Sequence, residues 1–361
     1  MTPHTPSSTP ASRPWRAHIP LSLLVGLLAW LFLIARWMWQ LHPAFELTTH
    51  TTWHVTMALS VAIALLGLAR WRARRRRVRS STNMEGVASA SPPTYRSWLL
   101  GAWLLIPWGM CLSIAQPWMS LPVRTATRPA GSLTIFSWNL LVSNDNYDAI
   151  VATIRQSDAD VVILAEINPL HREALRQLES EYPYSHWQTR LNTRGIAMLS
   201  RVPYTQFADH QIGASRMVVV EARLLSHGNQ APMSVLGIHA ASPNLEGRSA
   251  VRDDELKALS AWARDLETRE PDRPLVIAGD YNITPWSPPF QALLDETGLR
   301  DSREYFGYFA SWPSDFGIFG IPIDHALVSR TLRVTDRAAG FPSRDSDHGW
   351  IRVTVTSASK Q

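Results

Sequence analysis

The segment Leu275–Asn282 reads LVIAGDYN, a short apolar run that ends in a carboxylate and an amide. The four apolar residues Leu275–Ala278 predict a buried β-strand. Asp280 and Asn282 follow it directly, at the end of the strand, where loops carried by a rigid sheet often hold functional side chains. This pairing of a buried strand with polar residues at its end predicts a site at the edge of a sheet.

The same arrangement recurs along the second half of the chain. Six apolar runs carry an acid, an amide or an imidazole at one end: Asn139 in FSWNL, Glu166 in ILAEIN, His239 in LGIHAASPN, Asp280 with Asn282, Asp324 in PIDHALVS, and Asp347 with His348 in SDHGW. Burial of the strands would bring these side chains to one rim.

Carboxylates gathered at one rim repel one another and are costly to desolvate, and a bound divalent cation would offset both costs. Oxygen ligands suit Mg²⁺ or Mn²⁺, and nearby histidines can donate to phosphate oxygens or transfer protons. The pattern therefore predicts metal-assisted hydrolysis of a phosphoester.

Apolar and helical patterns alternate over this half. The predicted strands are 133–139, 161–167, 196–199, 217–224, 233–239, 275–278, 323–328 and 350–355, and the predicted helices are 147–155, 170–178 and 253–266. Strands outnumber helices, which favours a single domain with a two-sheet core flanked by helices.

Charge divides the chain into two parts. The 361 residues carry a net charge of +5, but residues 1–130 hold 13 Arg against two acids (13 − 2 = +11). From Gly131 onward, 22 Lys and Arg face 28 Asp and Glu (22 − 28 = −6). The overall composition excludes a disordered, collagen-like or coiled-coil protein. The single cysteine, Cys111, excludes an intrachain disulfide and a cysteine zinc cluster.

Three apolar segments in the basic part predict transmembrane helices at about 19–39, 53–69 and 97–118, because each approaches the ~20 residues needed to span a bilayer. The alternatives are buried helices of a soluble core and, for the first segment, a cleavable signal peptide, although no A-x-A cleavage pattern follows it.

Arginine distribution predicts the orientation of these helices. The loop 40–52 has no Lys or Arg, whereas loop 70–96 carries eight Arg, including Arg74–Arg77. Short Arg-rich loops stay cytoplasmic, so we expect tail 1–18 and loop 70–96 inside. Linker 121–131 and a catalytic domain 132–357 then lie outside, in the periplasm or extracellular space. Nucleic-acid binding is the alternative role for Arg74–Arg77.

The ordered motifs of the second half resemble the endonuclease/exonuclease/phosphatase superfamily, which includes deoxyribonucleases and bacterial sphingomyelinases. They are W-N at 138–139, the acid of DVVILAE, GIAMLSR at 195–201, the strand-end His239, GDYN at 279–282, IDH at 323–325 and SDH at 346–348. The resemblance implies an α/β (α+β) fold, a four-layered α/β/β/α sandwich with two packed mixed sheets. Together with the N-terminal segments, it indicates a membrane-anchored bacterial member.

The resemblance also implies a role for each site residue. Asn139, Glu166 and Asp347 would hold Mg²⁺, with Mn²⁺ possible. Asp280 would orient or deprotonate the attacking water, and Asn282 would contact the phosphate. His348, oriented by Asp324, would bind the scissile phosphate or act as base, and His239 corresponds to the second histidine of the deoxyribonuclease and sphingomyelinase branches.

The resulting hypothesis is a membrane-anchored, metal-dependent phosphodiesterase or phosphatase, whose partners are the lipid bilayer and a phosphoester substrate. An extracytoplasmic nuclease acting on DNA or RNA is the alternative, and a non-catalytic binding module is the lesser one. The net charge of −6 weighs modestly against a nuclease, which gains affinity by neutralising phosphates. The aromatic segment 305–319 would either touch substrate or membrane or, as we favour, pack beneath the site.

Overall fold

The computed structural model describes residues 21–81, 95–115, 129–226, 231–243, 248–341 and 346–358. Within them, twelve strands form two six-stranded sheets. The first sheet has the spatial order β11 (Leu332–Gly340), β12 (Trp350–Ser357), β1 (Leu133–Asn139), β2 (Val161–Ala165), β4 (Ile196–Ser200), β3 (Tyr184–Gln188). The second has the order β5 (Tyr204–Ile212), β6 (Met217–Leu224), β7 (Met233–His239), β8 (Leu275–Asp280), β10 (Asp324–Val328), β9 (Arg300–Asp301).

Both sheets are mixed and pack face to face. β1 pairs in parallel with β2, β7 pairs in parallel with β8, and the other pairings are antiparallel. Inward-facing side chains of both sheets form one buried apolar core, which includes Ile135, Ile163, Val235, Val276 and Val353. Burial of each such side chain stabilises the fold by roughly 1.5–3 kcal/mol before the entropy of ordering the chain is counted.

Helices cover the two outer faces. The first sheet is covered by α5 (Tyr147–Ser157) and α6 (Pro169–Ala174), which continues as a 3₁₀ turn over Leu175–Leu178. The second sheet is covered by α7 (Arg248–Arg269) and α8 (Pro288–Thr297). These layers confirm the predicted α/β/β/α sandwich with two mixed sheets.

Helix α7 begins earlier than the sequence pattern predicts. It starts at Arg248 rather than Asp253, so the acids 253–255 lie in its second turn and the expected first-turn position was wrong. Glu255 is buried there, and its carboxylate accepts a 2.6 Å hydrogen bond from the amide of Ala241. The acid therefore ties the helix to the loop after β7 instead of stabilising the helix N-terminus.

The described residues before 116 form four helices: α1 (Leu21–Trp37), α2 (Pro43–Thr49), α3 (Thr52–Ser81) and α4 (Tyr95–Ala115). α1, α3 and α4 share a small buried cluster of Ala29, Leu33, Leu59 and Cys111. Many of their other apolar side chains are exposed, for example Leu28 and Leu65. The predicted loop 70–96 starts as helix, because α3 continues through Ser81.

The structure does not support the prediction of three transmembrane helices. Within the described residues, one segment, Thr52–Ala69, is long and apolar enough to cross a membrane. Leu21–Trp37 and Gly101–Ala115 are also apolar but fall short of 18 residues. The tail 1–18, the ends of the first and third predicted spans, and residues 121–128 of the linker lie outside the described residues.

Candidate active site

The predicted site residues meet at one rim shared by the two sheets. Asn139, His239 and Asp280 end strands β1, β7 and β8, and Glu166 directly follows β2. Asp324 instead begins β10, and the Asp347–His348 pair precedes β12. At these last two positions the polar residues therefore begin or precede their strand, whereas at the others they end or follow it. β10 and β12 run antiparallel to β8 and β1, so their beginnings lie beside their neighbours' ends.

Asn139 bridges the two carboxylates at the centre of this rim. Its Nδ2 donates to Glu166 Oε1 and to Asp280 Oδ2, each at 3.1 Å. Its Oδ1 accepts a 3.0 Å hydrogen bond from the amide of Leu141, which fixes the orientation of the side-chain amide. The second oxygen of Glu166 accepts from the amide of Val142 at 3.2 Å. Asn139 thus holds one carboxylate from each sheet within reach of a common ligand.

The backbone at this rim is strained at two of the predicted site residues. Glu166 and Asn282 have φ values of 58° and 51°, in the left-handed region that non-glycine residues rarely adopt. Such conformations persist only where the surroundings enforce them, and they concentrate at functional sites. At Asn282 the enforcing contacts are its amide, which donates to Asp280 Oδ1 at 2.8 Å, and its Nδ2, which donates to the carbonyl of Ala240 at 2.9 Å.

Asp324 and His348 form a buried carboxylate–imidazole pair. Asp324 Oδ2 lies 2.9 Å from His348 Nδ1, while Nε2 of the same ring faces Asp280 Oδ2 at 3.6 Å. Ser311 Oγ accepts hydrogen bonds from the amides of Ile323 and Asp324, both at 3.1 Å, and so holds the start of β10. The pairing fixes the tautomer and direction of the ring, with Nε2 pointing toward the rim.

Burial and mutual charge shift the pKa values of this group. Burial raises the pKa of Asp280, and the charge of Asp324 raises it further against the opposing effect of His348. Burial lowers the pKa of His348, but the carboxylates of Asp324 and Asp280 outweigh it and raise the pKa to about 10. At neutral pH the ring is therefore an imidazolium whose Nε2 can donate a hydrogen bond to an anion.

His239 approaches both central carboxylates without a hydrogen bond to either. Its Nε2 lies 3.8 Å from Glu166 Oε1 and 3.6 Å from Asp280 Oδ2. Its place opposite Asp280 follows from the parallel register of β7 and β8. His239 therefore adds a second imidazole to the rim. When protonated, it can form an ion pair with either carboxylate.

Asp347 stands at the exposed edge of the site. Its Oδ2 accepts a 3.1 Å hydrogen bond from Trp312 Nε1. Its neighbour Ser346 donates to the carbonyl of Asn139 at 2.7 Å and accepts from the amide of His348 at 3.1 Å. The SDH motif is thereby tied to the end of β1, which brings it to the rim. Gly349 follows the motif, and its amide donates to the carbonyl of Ser311 at 2.7 Å, a bond that a proline could not make.

A cavity of about 430 Å³ opens over these residues. Its polar side includes Glu166, Asp280, Asn282, Asp347 and His348, and its apolar side includes Pro243, Trp312, Ile321 and Ile323. The remaining wall comes from the N-terminal part, through Leu47 of α2 and His50 just after it. Leu47 and His50 were not predicted from the sequence, because no local pattern marks them, whereas Trp312 belongs to the aromatic segment 305–319, for which contact with substrate was one expectation.

The donor set fits a hard divalent cation. Glu166 and Asp347 offer carboxylate oxygens, the ligands that Mg²⁺ and Mn²⁺ prefer, and Asn139 offers one amide oxygen, which already accepts a hydrogen bond from the amide of Leu141. Each Glu166 oxygen has one hydrogen bond and keeps a second acceptor position. Another group, Asp280, Asp324 and His348, has ligand atoms within 4.8 Å of one another. In that group Nδ1 of the ring already faces Asp324, so we regard it as a hydrogen-bonded charge network.

Two histidines that are not among the predicted site residues, His171 and His325, have structural roles. His171 is fully buried and completes the N-terminal capping box of α6 with Asn168. His325 is fully buried, 2.9 Å from Asp301 and hydrogen-bonded to the carbonyl of Ile283. His227 lies outside the described residues.

The aromatic segment 305–319 divides between packing and exposure. Phe306 is buried, and the ring of Tyr308 stacks on Trp53 of α3 at 4.6 Å. Phe316 and Phe319, in contrast, are 63% and 71% exposed. The favoured interpretation, packing, therefore holds for Phe306 and Tyr308, whereas Tyr305 is 72% exposed like the two phenylalanines and Trp312 lines the cavity.

Comparison with known proteins gives a consistent assignment. Among curated proteins, the uncharacterized protein YbhP of Escherichia coli K12 is 26% identical over 149 residues, which cover 36% of this chain and 56% of YbhP. The match thus spans little more than half the length of that relative.

Three solved structures share the fold. The human Nocturnin catalytic domain with a bound sulfate anion aligns with a TM-score of 0.52 and 14% identity, over 64% of this chain and 97% of that one. Humanized TDP2 of D. rerio gives 0.51 and 16%, over 63% and 100%. An endonuclease/exonuclease/phosphatase of Beutenbergia cavernae gives 0.51 and 17%, over 64% and 72%. At these identities the likeness establishes the fold alone.

A family model extends the match across the whole site. It covers residues 136–348, more than half of the chain, and includes every predicted site residue from Asn139 to His348. With the two-sheet fold and the assembled rim already described, this match shows that the chain belongs to the Endonuclease/Exonuclease/phosphatase family.

Proposed function

We propose that this protein is a membrane-anchored, divalent-metal-dependent phosphoester hydrolase whose catalytic domain faces away from the cytoplasm. The observation that carries the proposal is the bridge from Asn139 to Glu166 and Asp280, with His348 3.6 Å from Asp280. A cation position, a buried carboxylate and a charged imidazole therefore converge on one cavity. Metal-assisted attack on a phosphoester needs these groups together.

The side chains divide the chemistry among them. The cation, held by Glu166, Asn139 and Asp347, would supply charge neutralisation at the phosphate. Asp280 would orient the attacking water and accept its proton, because its raised pKa makes it a stronger base than an ordinary aspartate. Its neighbour Asn282 would contact the phosphate.

The imidazole would act on the opposite side of the phosphate. His348 Nε2 would donate to a phosphate oxygen as negative charge develops there. Asp324 is a positioning residue, which keeps the ring charged and aimed through its 2.9 Å contact with Nδ1. His239, near both Glu166 and Asp280, would make a second contact with the phosphate.

The length of α3 supports the proposed orientation. At its beginning, His54 Nε2 donates to the carbonyl of Phe319 in the catalytic domain at 2.7 Å. Arg72–Arg77 follow 18–23 residues later, about 27–35 Å away at ~1.5 Å per helical residue. The hydrocarbon core of a bilayer is about 30 Å thick. The distance along α3 from the catalytic domain to these arginines is therefore close to the thickness of one membrane. This distance fits an orientation in which the arginines face the cytoplasm.

A nuclease is the second candidate. A cavity of about 260 Å³ adjoins the site, shares Glu166 and His239 with it, and is lined by Arg194 and Arg248. Arginines beside a phosphate site favour a substrate with several phosphates. Against this, the residues from Gly131 onward carry a net charge of −6 (22 − 28).

A hydrolysis panel tests the proposal. The full chain, purified in detergent, is incubated with Mg²⁺ or Mn²⁺ and with DNA, RNA, sphingomyelin, other phospholipids and inositol phosphates, and EDTA is added to matched samples. We expect metal-dependent release of product from the lipid or small-molecule esters. Salt-sensitive cleavage of DNA or RNA would favour the nuclease. Metal binding without turnover of any substrate would favour a non-catalytic module.

A further inference from the structure

The segment that joins α1 to α3 forms part of the active-site cavity. This segment contains α2, and its residues Leu47 and His50 line the same 430 Å³ space as Asp280 and His348. The family match begins only at residue 136, so this wall is supplied by the N-terminal part of the chain. The cavity is therefore incomplete without the helical region.

A buried ion pair fixes this segment on the catalytic domain. Glu46 of α2 is 2% exposed, and its Oε1 lies 2.8 Å from Nη2 of the fully buried Arg252 in α7. Nη1 of the same guanidinium donates to the carbonyl of Asn282 at 3.1 Å. Arg252 thus joins the segment directly to a residue of the site.

Further polar contacts surround this pair. Thr49 Oγ1 lies 2.9 Å from Ser287 Oγ, and Trp286 Nε1 donates to the carbonyl of His50 at 3.2 Å. Trp286 is completely buried. Desolvated hydrogen bonds of this kind are costly to break, because each leaves a buried polar group unsatisfied. These buried contacts therefore fix the position of the segment on the catalytic domain.

His50 carries a polar atom that no described residue satisfies. The residue is 6% exposed, its Nε2 lies 3.1 Å from Glu46 Oε1, and its Nδ1 is buried without a hydrogen-bond partner. Since Glu46 accepts from Nε2, the neutral ring leaves Nδ1 as an acceptor. Unsatisfied buried acceptors are uncommon in folded proteins. A hydroxyl or ammonium group on a molecule in the cavity would satisfy this one.

The apolar side of the cavity adjoins helices with exposed apolar side chains. Leu47 belongs to a segment whose flanking helices expose leucines, among them Leu28 of α1 and Leu65 of α3. Phe319, whose side chain is 71% exposed, contacts the beginning of α3, because its carbonyl accepts a hydrogen bond from His54. An acyl chain that leaves the cavity would meet this apolar surface.

We propose that Leu47 and His50 form a binding subsite for the alcohol portion of a membrane-lipid phosphoester, with His50 Nδ1 accepting a hydrogen bond from a headgroup or backbone hydroxyl or ammonium. The subsite extends the phosphoester hydrolase proposed above and rests on it. It places the phosphate over Asp280 and His348 and the lipid body toward the helices. Substrate selection thus depends on the membrane anchor itself.

Paired substrates test the subsite. The full-length protein in mixed micelles is assayed with Mg²⁺ on phospholipids and on bis(p-nitrophenyl) phosphate, a small soluble phosphodiester. His50→Gln keeps a donor for Glu46 but lacks an acceptor at the Nδ1 position, and Leu47→Ala shortens the apolar wall. We expect each to lower kcat/KM on lipid at least tenfold, mainly through KM, and to change the rate on the small ester less than twofold. His50→Asn, which can return an acceptor near Nδ1, should recover part of the lipid rate.

Controls separate the possible failures. Leu41→Ala, at a 70% exposed position just before α2, should leave both rates unchanged. The midpoint of thermal unfolding is recorded for every variant, so that a loss of docking is recognised. Equal losses on both substrates, or no loss on either, would overturn the subsite while leaving the hydrolase proposal intact. Absence of metal-dependent turnover by the wild type on any substrate would instead refute the proposed function.

Discussion

The carboxylate of Asp324 lies 2.9 Å from Nδ1 of His348, and both side chains are buried. This contact sets the direction of the ring, whose Nε2 points toward Asp280. Asp324→Asn preserves the shape of the side chain but removes its negative charge. The amide can also turn its NH₂ group, a donor, toward His348 Nδ1 in place of the carboxylate oxygen, an acceptor. We expect kcat to fall by roughly 10²–10⁴, the range typical of lost acid–base assistance, with KM changed much less.

Steady-state kinetics on the substrate identified by the panel measures this split. Asp336→Asn, on β11, serves as the matched control because its carboxylate contacts Arg352 at 3.2 Å and not a predicted site residue. A rise in KM without a fall in kcat would contradict the positioning role of Asp324.

Asp301 is expected to stabilise the catalytic domain without taking part in chemistry. Burial would raise its pKa, but the guanidinium of Arg303 and the ring of His325 hold the pKa well below its usual range. Asp301→Asn would leave the buried Arg303 without its charge partner. Removing one member of a buried pair typically costs about 3–5 kcal/mol.

Urea unfolding followed by fluorescence measures that loss in the free energy of unfolding. Asp295→Asn, at an exposed position of α8, should change it by less than about 0.5 kcal/mol. Equal stability of Asp301→Asn and the wild type would show that the cluster is not required for folding.

The ion pair of Glu46 predicts a specific pH dependence. Burial would raise the pKa of Glu46, but His50 and Arg252 outweigh it and lower the pKa from 4.5 to about 2. A group with a depressed folded-state pKa contributes stability above its unfolded pKa, and this contribution is lost as the pH falls through the folded value. The wild type should therefore lose stability between about pH 4.5 and pH 2 through this carboxylate.

Thermal unfolding of the wild type and Glu46→Gln across this range isolates the contribution. We expect the variant to melt at lower temperature near pH 6 and the difference to shrink as the pH approaches 2. Glu173→Gln, at an exposed carboxylate of α6, provides the control. A difference that stays constant with pH would argue against a charged Glu46 in the folded protein.

Gly279 is expected to tolerate no side chain. Its φ is 151°, and an added Cβ would stand 2.0 Å from the carbonyl oxygen of Ile238 in the adjacent strand β7. Gly279→Ala must therefore shift the end of β8 and with it Asp280. We expect a loss of activity of at least tenfold together with a lower midpoint of thermal unfolding. Gly109→Ala, where a Cβ meets nothing within 4 Å, should alter neither.

The sequence pattern predicted the central strands because their burial is continuous. β2 and β8 are buried along their whole length and read as unbroken apolar runs. β5 was missed because it is an edge strand of half-exposed polar residues, YTQFADHQI, and β9 has only two residues. Strands of these kinds are specified by their neighbours rather than by their own composition.

The same distinction applies to the site. Asn139 and Asp280 were predictable, because each ends a recognisable strand and the sheet brings such ends together. His50 was not, because its position depends on the contact of Glu46 with Arg252, 206 residues further along the chain. A contact between residues so far apart in the chain leaves no local pattern in the sequence.

The dependence of hydrolysis on the Asp280 carboxylate tests the central claim most directly. Full-length wild type, Asp280→Asn and the control Asp295→Asn are compared at equal concentration with saturating Mg²⁺, on the phosphoester that the panel identifies. We expect turnover by the wild type and the control, loss of at least a thousandfold in Asp280→Asn, and abolition of all turnover by EDTA. Undiminished, metal-dependent turnover by Asp280→Asn would contradict it.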